Sequence, residues 1–544
     1  GAEAFPLEEP LSACRRAYRQ LRRALDSDWE RYYAAAKQMT AEGKTLDVPR
    51  SYSFGGVAVG RWLENQRLVR AGKKKGRLTA AQAARLDKIG MNWQKRLELA
   101  WENGCASARR YRDSHSDLLV PVHYKDKDGY TLASTVGISG VENAFEDYLH
   151  GSNGKRLVTF NDSGKITGEL YSEEPKPGST VALTIDIDFQ AQVEEALKST
   201  VSSMTKADGV ERGAAVAVVQ VGTGDVLALA SYPTYSLSTF RENISELSND
   251  SMRPMWNRAT QGKYAPGSTL KPLTGIAALE SGATTVREKI YDSGKWVYPG
   301  YSASYTYCWK RSGHGALNVR GAIMNSCNYY FAEMGYRMGM DTLRKYYADF
   351  GLGAPTGIEI GDTAGRLPSQ NEGENLAPWA AFGQANQEYS PLQLANYIAT
   401  LCGGGERYAT HLLKNVRSSG SGTLEYVYDA APVETVSMSS ENLSAVLAGM
   451  HDLAADGAVS SYFKDCIVDA AAKTGTVQTG DTKNNNGAFV CFAPYDDPQI
   501  AVAIVIEKGG SGAALASTAV QVLNAYFSNT SASSAITGEN TLLG

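Results

Sequence analysis

The sequence predicts an α+β protein: an antiparallel sheet flanked by helices, preceded by a small all-α module. Three observations carry this. Two hairpin signals lie far apart in the chain. Residues 214–221 and 226–231 flank the turn Gly222-Thr223-Gly224-Asp225, and residues 487–493 and 499–507 flank Pro494-Tyr495-Asp496-Asp497-Pro498. Strands at both ends with a helical middle imply a sheet assembled from distant segments. The length of 544 residues exceeds what one core supports, and 43% hydrophobic with 21% charged residues excludes disordered and fibrous classes. Charge is also unevenly spread. Residues 1–135 hold 25 Lys+Arg against 16 Asp+Glu, net +9, and residues 136–544 hold 29 against 42, net −13.

Taken in order, the first segment shows helical patterning over residues 12–37, 57–71 and 79–97. A partial internal repeat accompanies it: Trp29, Pro49 and Tyr52 recur 72 residues later as Trp101, Pro121 and Tyr124, and the second copy stops near Leu132. The first copy is carried by Trp29, Val48, Pro49, Tyr52, Gly60, Trp62, Gln66, Arg67, Leu78, Leu86, Ile89, Gly90, Met91 and Trp93. This pattern resembles the helicase-associated domain of bacterial helicase-like proteins. Core packing of three helices accounts for its tryptophans better than base stacking does. The basic run Lys73 to Lys75 with Arg77 reads as a solvated loop, although a net charge of +9 leaves weak nucleic-acid binding by residues 1–135 open.

From about Val136 the composition shifts to Gly, Thr, Val and Tyr. Residues 180–188 alternate as a strand, 189–199 read as a helix, the two hairpins follow, 513–527 read as a helix, and 529–544 form a polar tail. No stretch reaches the about 20 apolar residues of a membrane span, and no signal pattern opens the chain as given. The seven cysteines are scattered without a C-x-x-C pair, so spacing indicates neither a zinc site nor a disulfide framework.

Chemistry-bearing residues fall in three places. Tyr264-Ala265-Pro266-Gly267-Ser268-Thr269-Leu270-Lys271 sets a Pro-Gly turn ahead of a helical run ending near Ser281-Gly282. With Ser268 in the first turn, Lys271 at i+3 projects from the same face. A serine hydroxyl is a weak nucleophile until a base takes its proton, and a lysine whose ammonium form is destabilised by burial can be that base. Ser-x-x-Lys alone is weak, since it recurs at Ser152, Ser203 and Ser461. Second, Ser326-Cys327-Asn328 offers a hydroxyl and an amide two residues apart, with a helix cap as the plainer reading and Cys327 as a small packed residue. Third, Lys473-Thr474-Gly475-Thr476 lies in an extended run and occurs once. On a strand, Lys473 projects into a cleft, the Thr474 and Thr476 hydroxyls can bind a carboxylate, Gly475 permits close backbone approach, and edge N–H groups can donate to an oxyanion. The alternative is a surface strand with a lysine guarding its edge.

Ser-x-x-Lys, Ser-x-Asn and Lys-Thr-Gly in this order match the motif set of penicillin-binding proteins and related β-lactamases. From about Val136 to Phe527 the chain resembles a class B penicillin-binding protein, a monofunctional D,D-transpeptidase. Gly137-Ile138-Ser139-Gly140-Val141-Glu142, Pro177-Gly178-Ser179-Thr180, Phe382-Gly383-Gln384 and Ser390-Pro391-Leu392-Gln393 fit the same family. The resemblance implies four regions: a helicase-associated-like module (1–135), a partial pedestal (136–210), a transpeptidase domain of penicillin-binding/β-lactamase-like fold (211–528) and the tail.

It also implies roles. Ser268 attacks the penultimate D-Ala carbonyl of a peptidoglycan stem peptide, Lys271 is general base, and Ser326 with Lys473 relays a proton to the leaving amine. Asn328 holds the acyl chain's amide, Thr474 and Thr476 hold the terminal carboxylate beside Gly475, and the N–H groups of Ser268 and Thr476 form the oxyanion hole. β-Lactams acylate Ser268. No cofactor or metal is implied, and His314 is expected to be structural. Family resemblance places the protein at the extracytoplasmic face of the bacterial membrane among cell-wall synthesis proteins. Two other readings stay open: a D,D-carboxypeptidase or β-lactamase-like hydrolase, and a β-lactam-sensing or nucleic-acid-binding fusion without turnover. The 327–472 interval holds no Glu-x-x-Leu-Asn-type loop to activate water, which disfavours fast β-lactam hydrolysis.

Overall fold

The computed structural model divides into two compact units, Gly1–Ser134 and Thr135–Gly544, each described here by itself. The residues described are 28–93 except 43, 45, 47, 49–51, 71–77 and 92, and 137–533 except 138, 301, 303, 370–375 and 478–484. The second repeat copy and the Lys73 to Lys75 run therefore lie outside them.

Among its described residues the first unit has three helices, α1 (Asp28–Ala41), α2 (Val59–Arg70) and α3 (Ala80–Lys88). Trp29 and Trp62 pack together. Trp29 stacks on Tyr33 with centroids 5.1 Å apart and meets Trp62 edge-on at 5.7 Å. Arg85 pairs with both carboxylate oxygens of Glu30 at 2.7 and 2.8 Å while lying 4.1 Å over the Tyr33 ring. Helix α3 starts in a capping box between Thr79 and Gln82. It stops at Lys88, short of the residue 97 expected from the pattern, because Gly90 turns left-handed (φ 82°) and the N–H of Met91 folds back onto Leu86 O at 3.0 Å.

In the second unit two short helices, Gly140–Ala144 and Glu146–Leu149, precede a hairpin of β1 (Lys155–Phe160) and β2 (Ile166–Glu173), then β3 (Thr180–Leu183). The strand expected over 180–188 ends early because Asp186 caps the next helix, α4 (Ile187–Asp208), its carboxylate accepting from the N–H groups of Asp188 and Phe189. That helix runs beyond residue 199 until Gly209 (φ 72°) closes it.

A five-stranded antiparallel sheet follows, built of β4 (Ala214–Gln220), β5 (Val226–Tyr232), β6 (Ala471–Val477), β7 (Asn486–Ala493) and β8 (Ile500–Ile506), in the spatial order β6-β7-β8-β4-β5. Both hairpins form as expected, and β8 joins them by pairing Ile500 with Gln220 through Ile506 with Ala214. All seven residues of β8 are buried, since helices cover both faces. One face takes Val216, Val218, Val502 and Ile504 against Val193 of α4 and Leu523 of the C-terminal helix. The other takes Ala217, Val219, Ala503 and Val505 against the helical middle of the chain. The C-terminal helix, Ala516–Ser533, starts three residues after the expected 513 because Gly512–Leu515 is a 3₁₀ turn, and it extends past residue 527. Among the described residues no helix is long and apolar enough to cross a membrane.

Ile504→Ala removes buried volume from the central strand and is expected to cost about 2–5 kcal/mol, whereas Lys165→Ala at the exposed hairpin turn stays within about 0.5 kcal/mol. The shift in denaturant midpoint of the transition, at unchanged slope, measures both.

Candidate active site

The turn before Ser268 is held by backbone. Tyr264 and Tyr389 exchange N–H···O bonds of 3.0 and 2.8 Å, and Gly267 (φ 53°) donates its N–H to Gly383 O at 3.1 Å. Ser268 sits in a 3₁₀ turn, Gly267–Leu270, and the α-helix Lys271–Glu280 starts only after it. The expected α-helical first turn is thus tighter than an α-turn. In a 3₁₀ turn residues i and i+3 eclipse, which stacks Ser268 and Lys271 on one face more directly.

Two glycines let this turn press against its neighbours. At Gly383 (φ 77°) a Cβ would lie 2.1 Å from Gly267 O. At Gly475 a Cβ would lie 2.9 Å from Thr269 Cγ2 and 3.1 Å from Pro266 O. Gly475 thus serves close packing of β6 on the Ser268 turn and is buried rather than facing the cleft.

Lys271 is fully buried, and its Nζ donates to Ser326 O (2.7 Å), Asn328 Oδ1 (2.7 Å) and Ser326 Oγ (3.2 Å). Burial pulls this amine down to about 8. Lys473, also fully buried on β6, donates to the same Ser326 Oγ (3.0 Å) and to Thr474 O (3.0 Å). Burial first, and then the charge of Lys271, push it well below the ordinary lysine range. Ser326 is one of the few non-glycine residues with positive φ (50°), on the junction between helices Val319–Met324 and Asn328–Asp349. That conformation lets its carbonyl and hydroxyl both face Lys271. Cys327, expected as a small packed residue, is buried and caps the following helix, its Sγ accepting from the Tyr330 N–H at 3.4 Å.

Strand β6 is a sheet edge. In an antiparallel strand a residue's N–H and C=O point the same way. Thr476 O accepts from Gln384 Nε2 at 3.0 Å on the outer side, so the Thr476 N–H also faces the Ser268 turn. A cleft of about 880 Å³ opens here, with Ser268, Ser326, Asn328, Thr474 and Thr476 on its surface. Seven of the eight residues singled out from sequence meet directly around the cleft or at Ser326, and Gly475 supports them from behind. The far wall, Tyr305, Tyr307, Trp309 and Arg311 from one segment, was not foreseen; Phe382 and Gln384, from a stretch the sequence singled out, line the cleft with Trp379 beside the Ser268 turn. The aromatic density of Tyr301 to Trp309 was the available signal.

Behind that wall, Asp292, Cys308, His314 and Cys327 bring one ligand-capable atom each within 4.8 Å of one another. Two thiols, an imidazole and a carboxylate are a donor set that could hold a zinc-like cation. Spacing had pointed away from any such cluster, because its members are 16, 6 and 13 residues apart and only folding gathers them. Within it His314 Nδ1 lies 2.7 Å from Asp292 Oδ2. Hydrogen bonding with Cys327, whose Sγ lies 4.0 Å away, holds the Cys308 thiol below the ordinary thiol range.

Residues 214–527 match the penicillin-binding protein transpeptidase domain family, 121–183 the penicillin-binding protein dimerisation domain, and 26–94 the helicase associated domain. The chain is 31% identical over 426 residues to the peptidoglycan D,D-transpeptidase MrdA of Escherichia coli, covering 73% of this chain and 65% of that protein. It is 31% identical over 431 residues to MrdA of Haemophilus influenzae, covering 74% and 64%. The chain thus spans just under two thirds of the length of these relatives. Among solved structures it is similar to Pseudomonas aeruginosa PBP2 in complex with WCK 5153 (TM-score 0.61, 28% identity, 72% of this chain and 82% of that one). A Helicobacter pylori PBP2 in complex with MreC shares the fold (TM-score 0.64, 22% identity, 74% of each chain).

Gly383→Ala forces a side chain at positive φ into a backbone contact and is expected to cost at least about 1–3 kcal/mol. Calorimetry should show a lowered melting temperature relative to wild type.

Proposed function

The chain belongs to the class B penicillin-binding proteins, and from that premise we propose that it cross-links peptidoglycan stem peptides as a serine D,D-transpeptidase acylated by β-lactams. The observation that carries this reading is the meeting of two buried lysine amines on one serine hydroxyl, Ser326, beside Ser268 in the same cleft.

In the proposed reaction Ser268 Oγ attacks the penultimate D-Ala carbonyl as its proton passes to the neutral fraction of Lys271. The N–H groups of Ser268 and Thr476 stabilise the tetrahedral oxyanion. The C–N bond then breaks, and the departing D-Ala amine receives a proton through Ser326, which bridges Lys271 and Lys473. Asn328 has its Oδ1 committed to Lys271 and only a 3.4 Å bond from Nδ2 to Tyr307 O, so an N–H remains for the acyl chain's amide. Thr474 and Thr476 take the terminal carboxylate, and Gly475 keeps their strand against the nucleophile turn. An acceptor stem-peptide amine attacks the ester and returns Ser268 to its resting state. Residues 211–528 carry this chemistry, and 136–210 serve as a partial pedestal. Such a substrate places the enzyme at the extracytoplasmic face of the membrane, with other cell-wall synthesis proteins as partners.

A fluorescent penicillin is expected to label the chain covalently with slow decay, and Ser268→Ala to abolish labelling, read by gel and intact mass. A folded wild type that takes no label overturns the proposal. A donor peptide ending in D-Ala-D-Ala should yield cross-linked product when an acceptor amine is added, and hydrolysis alone would favour the carboxypeptidase reading. Because only unprotonated Lys271 can accept the proton and its amine sits at about 8, the acylation rate should rise with pH from 6.5 to 9 and level off above. Stopped-flow acylation across that range checks it.

A further inference from the structure

We propose that Arg311 is a specificity-determining residue that selects acyl donors bearing a second carboxylate, on the acyl side of the bond broken at Ser268; the proposal rests on the transpeptidase reading above. Among the described residues lining the cleft, Arg311 is the only one with a charged side chain, and no acid faces it there. It is exposed, and its guanidinium lies 4.0 Å over the Tyr307 ring without an ion pair to any described residue. A cation stacked on an aromatic face keeps its edge N–H groups free for a planar anion.

The wall that presents it is built rather than loose. At Gly294 (φ 92°) a Cβ would lie 2.0 Å from Arg311 O, and at Gly313 (φ 78°) one would lie 2.2 Å from Asp292 O, so the two backbones are in direct contact. Gly313 donates to Lys310 O at 2.9 Å, closing the turn around Arg311, and Cys308 donates to Gly294 O at 3.0 Å. The same wall is tied to the catalytic loop: Trp309 Nε1 donates to Asn325 O at 2.9 Å, one residue before Ser326. Arg311 is therefore held in fixed register with Ser326, on a wall distinct from the β6 edge. The β6 edge already accounts for the carboxylate of the leaving residue. A cation elsewhere in the cleft calls for another anion, and a group on the acyl side stays there after the leaving residue departs.

The test uses the full chain, wild type and Arg311→Gln, with two acyl-D-Ala-D-Ala peptides that differ only in a carboxylate or carboxamide on the acyl side, and with benzylpenicillin. Wild type should favour the carboxylate donor, and Arg311→Gln should lower kcat/KM for it about tenfold, mainly through KM, with less than about twofold change for the carboxamide donor. Arg311→Lys should restore part of the preference, and the wild-type preference should shrink in high salt. Equal losses on both donors, or no preference in wild type, would overturn the proposal. Should benzylpenicillin fail to acylate wild type, the transpeptidase reading itself falls, and with it this one.

Discussion

The burial of two lysine amines against a single serine hydroxyl is the constraint on which the rest of the site depends. An ammonium taken out of water is destabilised unless hydrogen bonds replace its hydration. Lys271 finds three acceptors, all supplied by Ser326 and Asn328. Lys473 finds two, and the neighbouring positive charge discourages it from keeping its proton. Two amines that share one oxygen and cannot comfortably both be charged form a coupled pair. Such a pair can pass a proton through the hydroxyl between them at little cost. The left-handed backbone of Ser326 is a consequence, because it is what turns both oxygens of that residue toward Lys271.

The sheet and the glycines exist to hold these groups at contact distance. Lys473 comes from an edge strand near the end of the chain and Lys271 from a helix two hundred residues earlier, and the 3₁₀ turn at Ser268 must lie directly on the strand for the amines to converge. Any side chain at Gly475 or Gly383 would wedge them apart. The hydrogen bond from Gln384 to Thr476 O ties the segment after Gly383 to the same edge, which gives the Phe382-Gly383-Gln384 stretch a mechanical role.

On the opposite side, the wall of Tyr307, Trp309 and Arg311 is anchored by Asp292, Cys308, His314 and Cys327, and Cys327 lies between Ser326 and Asn328. The residues that shape the cleft's far side and those that position Ser326 and Asn328 are therefore one packed unit. A change in either is felt by the other.

Much of this was legible in one sequence. The two hairpins follow from apolar runs around turn residues, and the three motifs follow from residue type, spacing and order. The exact ends of elements were not, because caps such as Asp186 and left-handed glycines such as Gly90 act through local hydrogen bonds that periodicity does not register. Ser-x-x-Lys occurs four times, and sequence order singled out one copy. The fold supplies the physical difference: Lys155, Lys206 and Lys464 are exposed, whereas Lys271 is wholly buried, which lowers its amine. The four-residue cluster at Asp292 and the placement of Arg311 on the cleft wall were invisible for the same reason. Type and spacing are properties of the chain, but burial, proximity and the absence of a neighbouring counter-charge come into being only when distant segments pack together.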